Sequence, residues 1–165
     1  MIRSAAPETG PRPAALTIRD GSADDLDGVM RIMESAFPRQ FGEAWTRSQC
    51  AGILPMSGVS LRIAADDQQA LGFSLLRVVA DEAELLLIGV GAGAQRRGIG
   101  RSLLEDFIGL AQGAGATRLH LEVRDGNPAI KLYEARGFAP AGRRSGYYRG
   151  VDGDLRDALT LVLQG

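Results

Sequence analysis

The segment from Glu84 to Arg101, Glu-Leu-Leu-Leu-Ile-Gly-Val-Gly-Ala-Gly-Ala-Gln-Arg-Arg-Gly-Ile-Gly-Arg, limits more than any other what this chain can fold into. Its first part, Leu85-Leu86-Leu87-Ile88, is an unbroken apolar run and predicts a strand buried on both faces. Its last part opens a helix from Gly98 to about Gln112, with Ile99, Leu103, Phe107 and Leu110 on one face and Gly113 and Gly115 as the stop. Between strand and helix lie small residues, Gln95 and two arginines, where the first N–H groups of the helix lack backbone partners. The helix dipole is positive there, so cations are disfavoured unless an anion joins them, and Arg96, Arg97 and Arg101 add full charges. The expectation is a diphosphate site.

The rest of the chain surrounds this segment with alternating elements. Met1 to Pro13, with small and polar residues and three prolines, predicts a mobile tail, and residues 14–165 one domain. A strand over Leu16–Arg19 precedes a helix from Ala23 to Phe37, capped by Ser22, with Leu26, Val29, Met30 and Met33 at helical spacing. Thr46 caps a second helix through Ile53, after a loop containing Phe37, Phe41 and Trp45. Strands Val59–Ala65, Leu71–Val79 and Glu84–Val90 follow as a meander, the first two joined by a turn over Asp66-Asp67-Gln68-Gln69. After the long helix come a strand over Arg118–Arg124, a helix from Asn127-Pro128 to Arg136 stopped by Gly137, and strands Phe138–Arg144 and Ala158–Leu163. Tyr147, Tyr148 and a glycine-rich turn are expected between the last two strands. The fold class is α+β, a mixed sheet with helices on both faces.

Composition narrows the function. A formal charge of −1 over 165 residues argues against coating nucleic acid or an anionic membrane. Cys50 is the only cysteine and His120 the only histidine, so neither an intramolecular disulfide nor a cysteine- or histidine-rich metal site is available, and no metal is expected. No apolar run approaches the 18 or so residues of a membrane span, and Met1-Ile2-Arg3-Ser4 lacks the apolar core of a signal peptide. A cytoplasmic protein fits best.

Several residues could carry chemistry. Gly89-Val90-Gly91-Ala92-Gly93-Ala94 also matches a dinucleotide fingerprint, but that fold needs parallel strands and an acid about 20 residues on. Here Glu122 lies about 28 residues beyond Ala94, after three hairpin-linked strands. Glu122 shares a strand face with His120 and Arg124 in a segment whose alternate residues are apolar, and an acid placed there calls for an explanation. It is either an ion-pair partner of Arg124 or a general base that takes a proton from an attacking amine. Tyr133 shares a helix face with Ala129 and Ile130, which suits a core aromatic with a hydroxyl to satisfy. Asn127 suits an N-cap, His120 a structural role, Phe41 and Trp45 loop packing, and Tyr147 and Tyr148 an edge strand or a groove.

The run Gln95-Arg96-Arg97-Gly98-Ile99-Gly100 resembles the (Gln/Arg)-x-x-Gly-x-(Gly/Ala) loop with which the GNAT superfamily of N-acetyltransferases grips the pyrophosphate of acetyl-coenzyme A. Leu121-Glu122-Val123-Arg124, Asn127, Leu132-Tyr133, Gly137-Phe138 and Tyr147-Tyr148 follow in the order seen in the ribosomal-protein-alanine N-acetyltransferase branch. The resemblance implies a GNAT-like acyl-CoA N-acyltransferase fold, with a central mixed, largely antiparallel sheet. It implies acetyl-CoA as co-substrate, held by Ile88, Gly89, Val90, Gln95, Arg96, Arg97, Gly98, Ile99, Gly100, Arg101 and Asn127. It makes Glu122 the general base and Tyr133 the acid that reprotonates the coenzyme A thiolate, and it suggests that Tyr147 and Tyr148 line the acceptor groove. The implied acceptor is a protein N-terminus, that of a ribosomal protein, with a small amine or antibiotic, or a non-catalytic acyl-CoA sensor, as alternatives; monomer and homodimer stay open. One departure stands out, because Asn127 and Tyr133 are six residues apart where the branch usually has seven. A second is that Gly91, Ala92 and Gly93 replace the usual proline and aspartate before the loop.

Overall fold

The computed structural model describes residues 15–67 and 69–165, so the expected tail, and Gln68 of the expected turn, lie outside the described residues. Strand β1 (Thr17–Asp20) leads through a single 3-10 turn into helix α1 (Leu26–Ala36). Ser22 caps this turn reciprocally: its hydroxyl accepts from the Asp24 N–H at 3.3 Å while the Asp25 carboxylate accepts from the Ser22 N–H at 2.9 Å. The buried stripe of α1 is Leu26, Val29, Ile32 and Met33, with Met30 half-buried at its margin. Helix α2 (Arg47–Ile53) is capped in the same manner by Thr46, which exchanges bonds of 3.2 and 2.7 Å with Gln49.

Strands β2 (Val59–Ala65), β3 (Ala70–Val79) and β4 (Glu82–Val90) form the expected meander, followed by α3 (Ile99–Gly113), β5 (Arg118–Arg124), α4 (Ile130–Ala135), β6 (Ala139–Arg149) and β7 (Leu155–Gln164). They build one seven-stranded sheet in the order β1-β2-β3-β4-β5-β7-β6, in which only β4 and β5 run parallel. On one face Val29 and Met33 of α1 and Cys50 of α2 pack with Ile63, Phe73, Leu75 and Leu87. On the other, Leu104 and Phe107 of α3 and Tyr133 of α4 pack with Leu76, Leu85, Leu119, Leu121 and Val123. Each large side chain buried this way contributes about 1.5–3 kcal/mol.

Two details of β4 shape everything near it. Leu75 pairs with Leu87 but Leu76 with Leu85, so Leu86 is the extra residue of a bulge, and Leu85 and Leu87 face opposite sides of the sheet. Pairing with β5 then stops at Leu85↔Leu121, although both strands continue: β5 stays with β7 as far as Arg124↔Ala158, and β4 is left with a bare edge. The expectation of a strand buried on both faces is therefore corrected, since Leu86, Ile88 and Val90 are only half-buried where the neighbouring strand departs.

Two other expectations change. The buried row of α3 is Ile99, Leu103, Phe107 and Ala111, a ridge of residues four apart, and Leu110 falls off it, 40% exposed. Gly115, at φ +93°, makes the turn that ends the helix region. Strand β6 runs on to Arg149, so Tyr147 and Tyr148, expected between the last two strands, lie inside it; its pairing with β7 is irregular at Ala141, which has no partner between Pro140↔Leu161 and Gly142↔Thr160, and again between Arg144 and Tyr148. Replacing Leu103, fully buried, by alanine is expected to destabilise by about 2–5 kcal/mol. Leu110→Ala should change stability by no more than about 0.5 kcal/mol. Urea unfolding midpoints of the two variants check this contrast.

Candidate active site

The parting of β4 from β5 opens a cavity of about 880 Å³, walled by both strands, the starts of α3 and α4, the loop from Phe37 to Trp45, and Tyr147 and Tyr148. At one end lies the start of α3. Arg96 at φ +66° and Gly98 at φ +77° are left-handed, a geometry that turns successive backbone N–H groups toward a common hollow. Ser102 is the first residue of the helix whose N–H finds a backbone carbonyl, that of Gly98 at 3.0 Å. Gln95, Arg96, Gly98, Ile99, Gly100 and Arg101 all line the cavity, and among the described residues nothing lies within 4 Å of where a Gly98 side chain would begin. Arg97 is exposed and is not part of the lining.

Among the described residues no carboxylate pairs with Arg96, Arg97 or Arg101, whereas Arg62 is held by Asp106 at 2.9 Å and Arg136 by Glu105 at 2.6 Å. Free N–H groups, unpaired cations and an open approach over glycine fit a diphosphate. The bare edge of β4 supplies a further donor. The Gly91 N–H bonds back to Leu71 at 2.9 Å, so strand alternation turns the Val90 N–H to the opposite edge, toward the gap that Ile88, Gly89 and Val90 line.

The other end of the cavity brings Glu122, Tyr133, Tyr148 and Glu43 together. The Glu122 side chain is 15% exposed; its two oxygens accept from the Thr160 hydroxyl at 3.0 and 2.9 Å, and Arg144 Nε lies 3.2 Å away. The ion pair with Arg124 weighed from sequence does not form. Arg124 lies two positions further along the strand, where Glu43 at 3.3 Å and the Phe41 ring at 3.7 Å hold it. Tyr133 is buried, edge-on to Phe138, and Asn127 lines the cavity with its amide engaged on both sides. Its oxygen accepts from the Ala129 N–H at 2.8 Å, a cap of the turn that opens α4, and its nitrogen donates to Glu43 at 2.8 Å.

Phe41 and Trp45, read from sequence as packing residues, also line the cavity, because the loop folds over it. Glu43 escaped the sequence reading: a single acid in an irregular loop has no periodicity, and its placement between two bulky aromatics was the only hint. His120 sits 3.8 Å from Glu84, outside the lining.

Burial pushes the Tyr133 phenol well above its ordinary range, and the nearby Glu43 charge adds to this. Tyr148 moves the same way, through burial first and then Glu43, Tyr147, Glu122 and Tyr133, so two carboxylates and three phenols share one neighbourhood. Both groups thus stay protonated where an ordinary phenol is half ionised, near pH 10. A folded value above the unfolded one means that stability falls as pH climbs past about 10. Absorbance at 295 nm should show these two phenols un-ionised in the folded protein at pH 10, with their ionisation appearing only alongside unfolding at higher pH.

Residues 26–138 match the model of the acetyltransferase (GNAT) family. The chain is 38% identical over 150 residues to the ribosomal protein bS18-alanine N-acetyltransferase of Salmonella typhimurium, covering 89% of this chain and 96% of the relative. The crystal structure of the Escherichia coli ribosomal-protein-S18-alanine N-acetyltransferase superimposes with a TM-score of 0.80 at 33% identity, over 91% of this chain and 94% of that one. Arabidopsis thaliana NAA60, solved with acetyl-CoA, shares the fold at a TM-score of 0.79 and 18% identity, over 91% and 98% of the two chains. With a mixed sheet that opens beside an anion-ready helix, the chain belongs to the acetyltransferase (GNAT) family and is an acetyl-CoA-dependent N-acetyltransferase.

Proposed function

We propose that the protein acetylates the N-terminal α-amino group of a protein, a ribosomal protein of the bS18 type, in the cytoplasm. The observation that carries this is one cavity holding an anion cradle at the start of α3 and, at its other end, a carboxylate and a buried phenol. The 38% identity to a bS18-alanine N-acetyltransferase, over 96% of that relative's length, supports the choice of acceptor. Acetyl-CoA supplies the thioester. Gln95, Arg96, Gly98, Ile99, Gly100 and Arg101 would hold its pyrophosphate, and the Val90 N–H would donate to the carbonyl oxygen on the bare edge of β4.

Glu122 takes the proton that the acceptor amine sheds as its nitrogen bonds to the acetyl carbon, and Tyr133 gives its proton to the sulfur as the carbon–sulfur bond breaks. Thr160 and Arg144 keep the Glu122 carboxylate oriented. The phenol carries its proton throughout the physiological range, and burial, with the Glu43 charge, pushes its pKa further up. Transfer is direct, since Cys50 is buried in the cluster beneath α1 and α2 and does not line the cavity.

Proton energetics favour an α-amine. At pH 7 a group with pKa 7.7–8.0 needs about 1 kcal/mol to become neutral, while a lysine near 10.4 needs about 4.6 kcal/mol. A single carboxylate base matches the former.

Purified protein with acetyl-CoA should acetylate a peptide carrying the bS18 N-terminus in preference to an N-blocked lysine peptide or small amines. Glu122→Gln and Tyr133→Phe should each lower kcat about 10²-fold. Wild-type turnover in both variants would remove their assigned roles, and coenzyme binding without transfer to any acceptor would remove the activity. Arg96→Ala or Arg101→Ala should raise the acetyl-CoA Kd about tenfold, as expected for loss of one charge-assisted bond, and flatten its salt dependence. Isothermal titration at two ionic strengths checks this.

A further inference from the structure

Glu43 stands on the loop between α1 and α2, and that loop is fastened to the β6–β7 turn. The Val151 N–H donates to the Arg39 carbonyl at 3.2 Å, and Arg156 Nη1 donates to the Gln40 carbonyl at 2.7 Å. Gly42, at φ +69°, lies so near the Arg149 carbonyl that any side chain would overlap it. The Phe41 ring lies beneath two guanidinium groups, Arg124 at 3.7 Å and Arg156 at 5.0 Å. A loop held at these points presents Glu43 inward, its side chain only 8% exposed.

From Glu43 a continuous path of hydrogen bonds runs to the backbone that carries Tyr133. Asn127 Nδ2 donates to Glu43 Oε1 at 2.8 Å, Asn127 Oδ1 accepts from the Ala129 N–H at 2.8 Å, and the Ala129 carbonyl accepts from the Tyr133 N–H at 3.2 Å. Helix α4 has only six residues, and the Asn127 bond to the Ala129 N–H adds to the core packing of Ala129, Ile130 and Tyr133 in setting the direction of its opening turn. A phenol that must meet a departing sulfur tolerates little displacement, because misplacement by about 1 Å can lower a rate about a hundredfold.

We infer that Glu43 is a positioning residue for acetyl transfer: bonded to Asn127, it fixes the opening turn of α4 and so aims Tyr133 at the thioester. This rests on the reading of Tyr133 as proton donor. Glu43 also neutralises Arg124, 3.3 Å away, so the loop over the acceptor end and the helix bearing the acid are joined through one carboxylate.

A double-mutant cycle on transfer to a peptide with a free N-terminal alanine tests this, with acetyl-CoA affinity measured for every variant. Glu43→Ala should lower kcat about tenfold alone but less than about twofold in the Tyr133→Phe background, with coenzyme affinity unchanged. Glu43→Gln, whose amide oxygen still accepts from Asn127, should recover most of the lost kcat. Additive losses, an unchanged kcat in Glu43→Ala, or a Gln variant as slow as the Ala variant would overturn the inference and leave the role of Tyr133 standing. Full turnover in Tyr133→Phe would bring down both. Alanine at position 43 leaves Arg124 buried without its partner, which is strongly destabilising. Should that variant not fold, Asn127→Ala breaks the same path with the ion pair intact, and additivity with Tyr133→Phe would again overturn the inference.

Discussion

Two parallel strands that start as neighbours and then separate make the site. Past Leu85↔Leu121 the backbone groups along one edge of β4 have lost the partner that a ladder would provide, while β5 keeps its bonds to β7. Backbone polar groups left unpaired and shielded from water are costly, so such an edge persists only where solvent or a ligand can reach it. The bulge at Leu86 lies next to the branch point and turns the following residues onto new faces, so the strand can line the opening. Helices α3 and α4 begin on the same side of that gap, and the start of α3 faces it with N–H groups that no carbonyl occupies.

Charge is distributed unevenly along the cavity. At the α3 end the arginines have no counter-ions among the described residues. At the far end each carboxylate already has an arginine, and the two pairs differ in kind. Glu43 and Arg124 are 8% and 10% exposed, so removing either strands a charge in the interior. Arg144 is 62% exposed beside Glu122, so water screens its charge and this pair is the looser of the two. One pair is built into the cavity wall, and the other leaves its arginine in solvent.

Much of the fold was legible because it rests on local patterns. The limits of β2 and β5, the caps at Ser22 and Thr46, and the stop at Gly137 all follow from alternation or cap chemistry within a few residues. Errors arose where a pattern was local but its environment was not. Leu110 satisfies helical spacing and is exposed, because the side of α3 that meets the sheet is set by the sheet. Tyr147 and Tyr148 fit both readings the sequence left open, since they lie in the edge strand β6 and line the cavity, but the expected end of that strand at Arg144 falls short, because pairing with β7 carries it to Arg149. Asn127 is expected as the N-cap of a helix starting at Pro128; it caps the turn before α4 instead, whose own N-cap is Ala129, and nothing near it in sequence announces the carboxylate it binds 84 residues away.

The sequence by itself determined the order of elements, the glycine and arginine segment at which α3 begins, and the sharing of one strand face by Glu122 and Arg124, because backbone stereochemistry and strand period act over a few residues. Tertiary structure alone decided that β4 and β5 part, that Glu43 enters the cavity, and that Arg124 turns to Glu43 while Glu122 turns to Arg144 and Thr160. Those outcomes are choices among partners distant in the chain. They are settled by which charges and backbone groups end up shielded from water together, and no local pattern encodes that.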